Sequence, residues 1–134
     1  MFKLIIAGTR TFDDYDLLKR EVQKFILEEI KSKEITVVSG KAPGADTLGE
    51  RFASEYNLPI EPYPALWSDL EAIPCKIKYR SNDEAYNCLA GFNRNEQMAK
   101  VGTHCIVFTT GSPGSANMIE LATNHELKVK VIKI

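Results

Sequence analysis

The sequence predicts an α/β fold: a single Rossmann-like three-layer domain over residues 1–134, with a five-stranded parallel sheet in the order 3-2-1-4-5. Three observations carry that expectation. Short apolar, β-branched runs alternate with segments whose apolar residues recur at helical spacing, and this alternation builds a parallel sheet covered by helices on both faces. Right-handed crossovers between parallel strands then leave few topologies. The third is size: 134 residues, 44% hydrophobic and 26% charged, suit one globular core.

Phe2 to Ala7, closed by Gly8, reads as a buried strand. Asp13 to Lys31 follows with Leu18, Val22, Phe25, Ile26 and Ile30 at helical spacing. Lys19, Lys24 and Glu28 occupy its other face, and the aspartates before it can cap its first turn. Ile35 to Ser39 (ITVVS) is a second strand, and Ala45 to Tyr56 a second helix with Leu48, Phe52 and Tyr56 on one face. Ile60 to Tyr63 is a short third strand. Residues 64 to 86, punctuated by Pro64 and Pro74, show no period, and 68–86 reads as an irregular insert. A helix over Asn87 to Val101, a buried strand over His104 to Phe108 (HCIVF), a helix over Ser115 to Glu126 and a nearly alternating edge strand over Val129 to Ile134 complete the chain.

Seventeen Lys and Arg against eighteen Asp and Glu give a net charge of −1, so no global charge favours a nucleic-acid or membrane surface. Cys75, Cys88 and Cys105 are odd in number and widely spaced, which fits reduced thiols better than disulfides or zinc. His104 and His125 fall into no catalytic arrangement. No metal and no cofactor is expected. The N-terminus has no secretory pattern and no run approaches a membrane span, so a cytoplasmic protein with no membrane partner is expected.

Ligands of doubly wound sheets bind beyond the carboxyl ends of the strands, at the point where strand order reverses. Four segments fall there. Gly8-Thr9-Arg10 ends the first strand, and an arginine at that place needs a carboxylate or an anion. Ser39-Gly40-Lys41-Ala42-Pro43-Gly44-Ala45-Asp46 follows the second; it is neither a Walker loop nor GxGxxG, and Asp46 can equally be a helix-end carboxylate. Trp67 follows the third strand, as a stacking wall or as a packing residue. The loop Thr110 to Asn117 follows the fourth. Its glycines Gly111 and Gly114 allow close approach, its helix start favours an anion, and Ser112, Ser115 and Asn117 add donors; a plain turn with a serine cap has the same composition. Arg94 and Asn95 belong to the densest polar cluster on a helical pattern.

These segments together resemble the SLOG superfamily of Rossmann-like domains, in its YspA/YpsA-related branch. The matching residues are Ala7 to Arg10 with Phe12 and Asp13, Val38 to Asp46 with Leu48, Pro64 to Trp67, Ala90 to Asn95 with Met98, and Gly111 to Ile119 with Ala122. The insert after Trp67 is similar to a longer variant of phage-type members. The resemblance implies binding of a nucleotide-derived small molecule of ADP-ribose, NAD or cyclic-nucleotide type, by a sensor or sequestering protein. Gly8, Thr9 and Arg10 would line the pocket floor and Gly40 and Asp46 one wall. Gly111, Ser112, Gly114 and Ser115 would cradle phosphate, and Arg94 would approach from its helix. Homo-oligomers are expected by the same resemblance.

Two alternatives accompany that expectation. The LOG branch of the superfamily cleaves nucleoside monophosphates at the glycosidic bond with a loop P-G-G-x-G-T-x-x-E. Aligned on Gly114-Ser115, its glutamate falls on Met118, Glu120 lies two residues late, and Asn95 stands at the lysine position. Met118 cannot activate water or stabilise an oxocarbenium ion, so the likeness favours binding over nucleotide N-glycosidase activity, and no catalytic residue is assigned. Single-stranded DNA binding, as in the DprA branch, fits poorly with a slightly acidic chain.

Overall fold

β1 (Phe2–Gly8) runs through the middle of the molecule because both its faces are apolar. In the computed structural model, which describes residues 1–134, Leu4 and Ile6 enter one hydrophobic cluster and Ile5 and Ala7 the other, the two-residue period of a strand. β2 (Ile35–Ser39), β3 (Ile60–Pro62), β6 (His104–Thr109) and β7 (Lys128–Lys133) join it in one parallel sheet ordered β3-β2-β1-β6-β7. That is the expected 3-2-1-4-5 order. Register runs Ile5 beside Val38 on one side and Ile5 beside Cys105 on the other.

α1 (Tyr15–Phe25) and α2 (Ala45–Glu55) cover one face, with Leu18, Val22 and Phe52 packed on Leu4, Val37 and Phe108. α3 (Ala90–Val101) and α4 (Pro113–Asn124) cover the other, with Met98, Met118 and Ala122 on Ile5 and Val107. Burying each of the larger side chains favours folding by about 1.5–3 kcal/mol. Asp14 caps α1 by accepting from the Leu17 amide at 3.1 Å.

Three local differences from the sequence reading have physical causes. The first helix widens into a π turn over Ile26–Ile30 before Lys31 ends it in the left-handed conformation at φ 55°. Phe25 and Ile30, five residues apart, both reach the core through that wider turn, whereas an α-helix would point them apart. The insert is not irregular throughout. β4 (Ile77–Tyr79) and β5 (Ala85–Asn87) form a separate antiparallel hairpin. β4 is exposed along its whole length, so no burial alternation marked it. Finally, α3 starts at Ala90 and not Asn87. The fully buried Asn87 side chain instead accepts from the Lys76 and Leu89 amides and donates to the Pro74 carbonyl, anchoring the insert on the core.

No helix is long and apolar enough to cross a membrane.

Candidate functional site

After β1 the chain turns to α1 on one face, while after β6 it turns to α4 on the other. The two loops diverge and leave a hollow of about 410 Å³ between them, a size typical of small-molecule sites.

The β1 loop lies against β6. A Cβ on Gly8 would stand 2.1 Å from the Phe108 carbonyl oxygen, so only glycine fits. The Thr9 hydroxyl accepts from the Thr110 amide at 3.0 Å and lies 3.3 Å from the Ser112 hydroxyl, which is 2.8 Å from that of Ser115. These hydroxyls stitch the two loops together at the point where strand order reverses. Arg10 is exposed, makes no hydrogen bond or ion pair within the chain, and holds its guanidinium 5.9 Å from the centre of the Trp67 ring. Trp67 is half-buried, stands edge-on to Tyr86 of the hairpin, and would lie 3.3 Å from a Cβ on Gly91.

α4 opens with Ser112 at its N-cap and Pro113 in its first turn, and no side chain caps it. Its first-turn amides and the positive end of the helix dipole face the hollow at Gly114 and Ser115.

The opposite wall comes from α2 and α3. Gly44 has φ 80° and is packed so tightly that a Cβ would meet the carbonyl oxygens of Thr9 at 2.4 Å and Arg10 at 2.5 Å. This close approach brings Asp46, 5% exposed, into the hollow, where it is the one carboxylate in the lining. Its Oδ2 accepts from the Ala42 amide at 3.2 Å. Oδ1 makes no hydrogen bond within the chain, yet it is not shut off from the hollow. Arg94, 8% exposed, donates from Nη1 to the Gly40 carbonyl, and from Nε to the Gly91 carbonyl and to Asn95 Oδ1. It makes no ion pair with Asp46. Burial pulls the guanidinium below its ordinary pKa, against the attraction of Asp46.

Burial also pushes the Asp46 carboxyl up to about 6, against the Ala42 amide and the Arg94 charge, which stabilise the ionised form. Its folded pKa exceeds the ordinary value of 3.8, so ionisation opposes folding. The stability it contributes is complete below 3.8 and is lost as pH rises through about 6. Asp46→Asn keeps an oxygen for the Ala42 amide and removes the buried charge. We expect it to stabilise the fold at pH 8 by roughly 2–3 kcal/mol, with the gain vanishing near pH 4. Thermal unfolding of both proteins across that range measures it; a constant difference at all pH values contradicts it.

Of the residues singled out in the sequence, Gly8, Thr9, Arg10, Asp46 and Trp67 line the hollow, as do Arg94, Asn95, Ser112, Gly114 and Ser115. Six do not. Ser39 and Lys41 turn away because Glu50, about one and a half turns into α2, takes both: the Ser39 hydroxyl donates to it at 2.6 Å and the Lys41 ammonium at 2.8 Å. Gly40 and Gly44 shape the wall from behind, Gly111 stands in open space, and Asn117 is engaged by Asn95 Nδ2 at 2.9 Å. Met118 lines the hollow as an apolar floor, while Glu120 is exposed on α4 and takes no part. Ala42, Cys88, Gly91, Phe92 and Met98 also line it and were not singled out as contacts. Gly91 lay within the polar cluster around Arg94, but its use as the seat of Trp67 carries no sequence signal.

The YAcAr family model, described as the YspA, cpYpsA-related SLOG family, matches residues 2–69. Among solved structures, the X-ray structure of DNA processing protein A (DprA) from Streptococcus pneumoniae superposes with a TM-score of 0.64 at 19% identity. The match covers 98% of this chain and 50% of that one, so this chain spans half the length of that protein, and the likeness is one of fold. No curated protein matches the sequence.

Proposed function

The chain belongs to the YspA, cpYpsA-related SLOG family, and from that membership we propose that it binds a nucleotide-derived small molecule, of ADP-ribose, NAD or cyclic-nucleotide type, at the hollow between β1 and β6. One observation carries this reading. Arg10, a cation with no partner in the chain, stands between an aromatic face and an uncapped helix N-terminus. Phosphate suits the arginine and the free amides, and a base suits Trp67. Sensing or sequestration follows from binding alone and needs no acid–base pair.

Isothermal titration with ADP-ribose, NAD and cyclic nucleotides tests the proposal. Arg10→Ala is expected to weaken the ligand that binds by roughly 10- to 100-fold, the loss of one or two charge-assisted hydrogen bonds. Its melting temperature should stay that of wild type, since Arg10 holds nothing in the fold. Silence from wild type across the panel defeats the proposal.

A second reading, hydrolysis of a nucleotide N-glycosidic bond, gains from the position of Asp46 as the carboxylate of the hollow. Release of free adenine from AMP that is lost in Asp46→Asn and kept in Glu120→Gln would raise it above simple binding.

A further inference from the structure

A pocket assembled for anions has one feature of the wrong sign. Arg10, Arg94, the α4 amides and the hydroxyls of Thr9, Ser112 and Ser115 all welcome negative charge. Asp46 does not, yet it is held in the same lining, nine-tenths buried, with Oδ1 unbonded. Oδ1 is open to the hollow, so its acceptor capacity is free for a donor on a ligand. An anion placed against it would be repelled. A hydroxyl or amine would supply the missing hydrogen bond; Arg94 does not, since it makes no contact with Oδ1 and directs Nη1 and Nε to Gly40, Gly91 and Asn95. The fold holds the two apart in this state. Gly40 lies between them, where a Cβ would sit 2.7 Å from Asp46 Oδ2 and 2.8 Å from Arg94 Nη1.

We infer that Asp46 receives sugar hydroxyls of the ligand, so that the site selects phosphorylated molecules carrying an intact ribose over those lacking its 2′- and 3′-hydroxyls, and over bare phosphate. The inference rests on the binding proposed above. It divides the hollow into an anion end, at Arg10 and the α4 N-terminus, and a hydroxyl end, at Asp46. A site that hydrogen-bonds a substrate hydroxyl rejects the analogue lacking it strongly, because its own buried group is then left unpaired.

The test compares AMP with 2′,3′-dideoxy-AMP and inorganic phosphate by isothermal titration, on wild type and Asp46→Asn. Wild type is expected to favour AMP over the dideoxy compound by at least about tenfold, and that preference should shrink to a few-fold or less in Asp46→Asn while phosphate binding stays the same or tightens. The preference should also fall between pH 7.5 and pH 5 in wild type. Asp46 is then protonated, with Arg94 on α3, Arg10 on the β1 loop, Glu50 on α2 and the Cys105 thiol on β6 as the groups that feel its charge. This pH series decides the matter if the variant does not fold. Equal affinity for AMP and its dideoxy analogue in wild type overturns the inference and leaves binding standing. A preference undiminished in Asp46→Asn overturns it as well. Failure of wild type to bind AMP, ADP-ribose or NAD overturns the binding proposal beneath it.

Discussion

Gly44→Ala is expected to cost at least about 3 kcal/mol of stability and to abolish ligand binding. Gly44 sits at φ 80° and ψ −125°, a backbone region that side chains rarely enter, so alanine there is strained before any contact is counted. The contacts add to the strain. The new methyl would meet the carbonyl oxygens of Thr9 and Arg10 at 2.4 and 2.5 Å, and these are backbone atoms of the β1 loop that cannot rotate away. Relief requires the β2–α2 loop to lift off the β1 loop, breaking the 3.4 Å hydrogen bond from the Ala45 amide to the Thr9 carbonyl. Asp46 would move with it. Thermal unfolding should show a midpoint lower by roughly 10 °C or more. Gly114→Ala is the matched control, because nothing lies within 4 Å of its would-be Cβ, and its midpoint should be nearly that of wild type. If the two variants unfold alike, the tight seating of Gly44 is wrong.

Arg94→Ala is expected to be nearly as damaging, for an electrostatic reason. The side chain is 8% exposed and satisfies two buried carbonyls, those of Gly40 and Gly91, besides ordering Asn95. Removing it leaves the Gly40 carbonyl without its donor, strips a second donor from the Gly91 carbonyl and takes away the nearest positive charge felt by Asp46 from α3. Losses of about 3–5 kcal/mol accompany such removals from buried charged networks. Arg94→Lys retains a cation but not the fork that reaches both carbonyls, so it should recover only part of the loss. Denaturant unfolding of the three proteins measures this; a wild-type midpoint in Arg94→Ala would show that the network contributes nothing.

Much of this was readable from residue order. Apolar runs such as LIIA and HCIVF have no polar face, which makes them central parallel strands, and the sheet order followed from chirality. The strand-end rule then pointed to Arg10, Trp67 and Ser115, and a polar cluster on a helical pattern to Arg94, with no contact known. Side-chain partners were less accessible. Ser39 and Lys41 look like ligand groups in the loop, but the competing acceptor, Glu50, lies on the next helix, and which way a lysine swings depends on that helix's rotation. From its own loop Asp46 reads equally as a helix-end carboxylate, and the family resemblance set it in a wall; the closeness of Gly44 to the β1 loop is the physical reason it lines the cavity. The hairpin Ile77–Asn87 was missed because it packs too little apolar surface to impose a pattern.

The hollow at the strand ends is not the largest in the molecule. A groove of about 910 Å³ at the opposite end of the sheet, between the π turn and the end of α2, is lined by residues including Ile26, Leu27, Tyr56 and Leu58 with the exposed Lys31 and Lys33, and the first turn of none of α1 to α4 lines it. Amide chemical-shift mapping distinguishes the two. On titration of ¹⁵N-labelled protein with AMP or ADP-ribose, the largest shifts are expected at Thr9, Arg10, Gly114 and Ser115, with the Trp67 indole moving alongside them. Shifts concentrated at Ile26, Leu27 and Tyr56, with the β1 and α4 loops unmoved, would contradict that expectation.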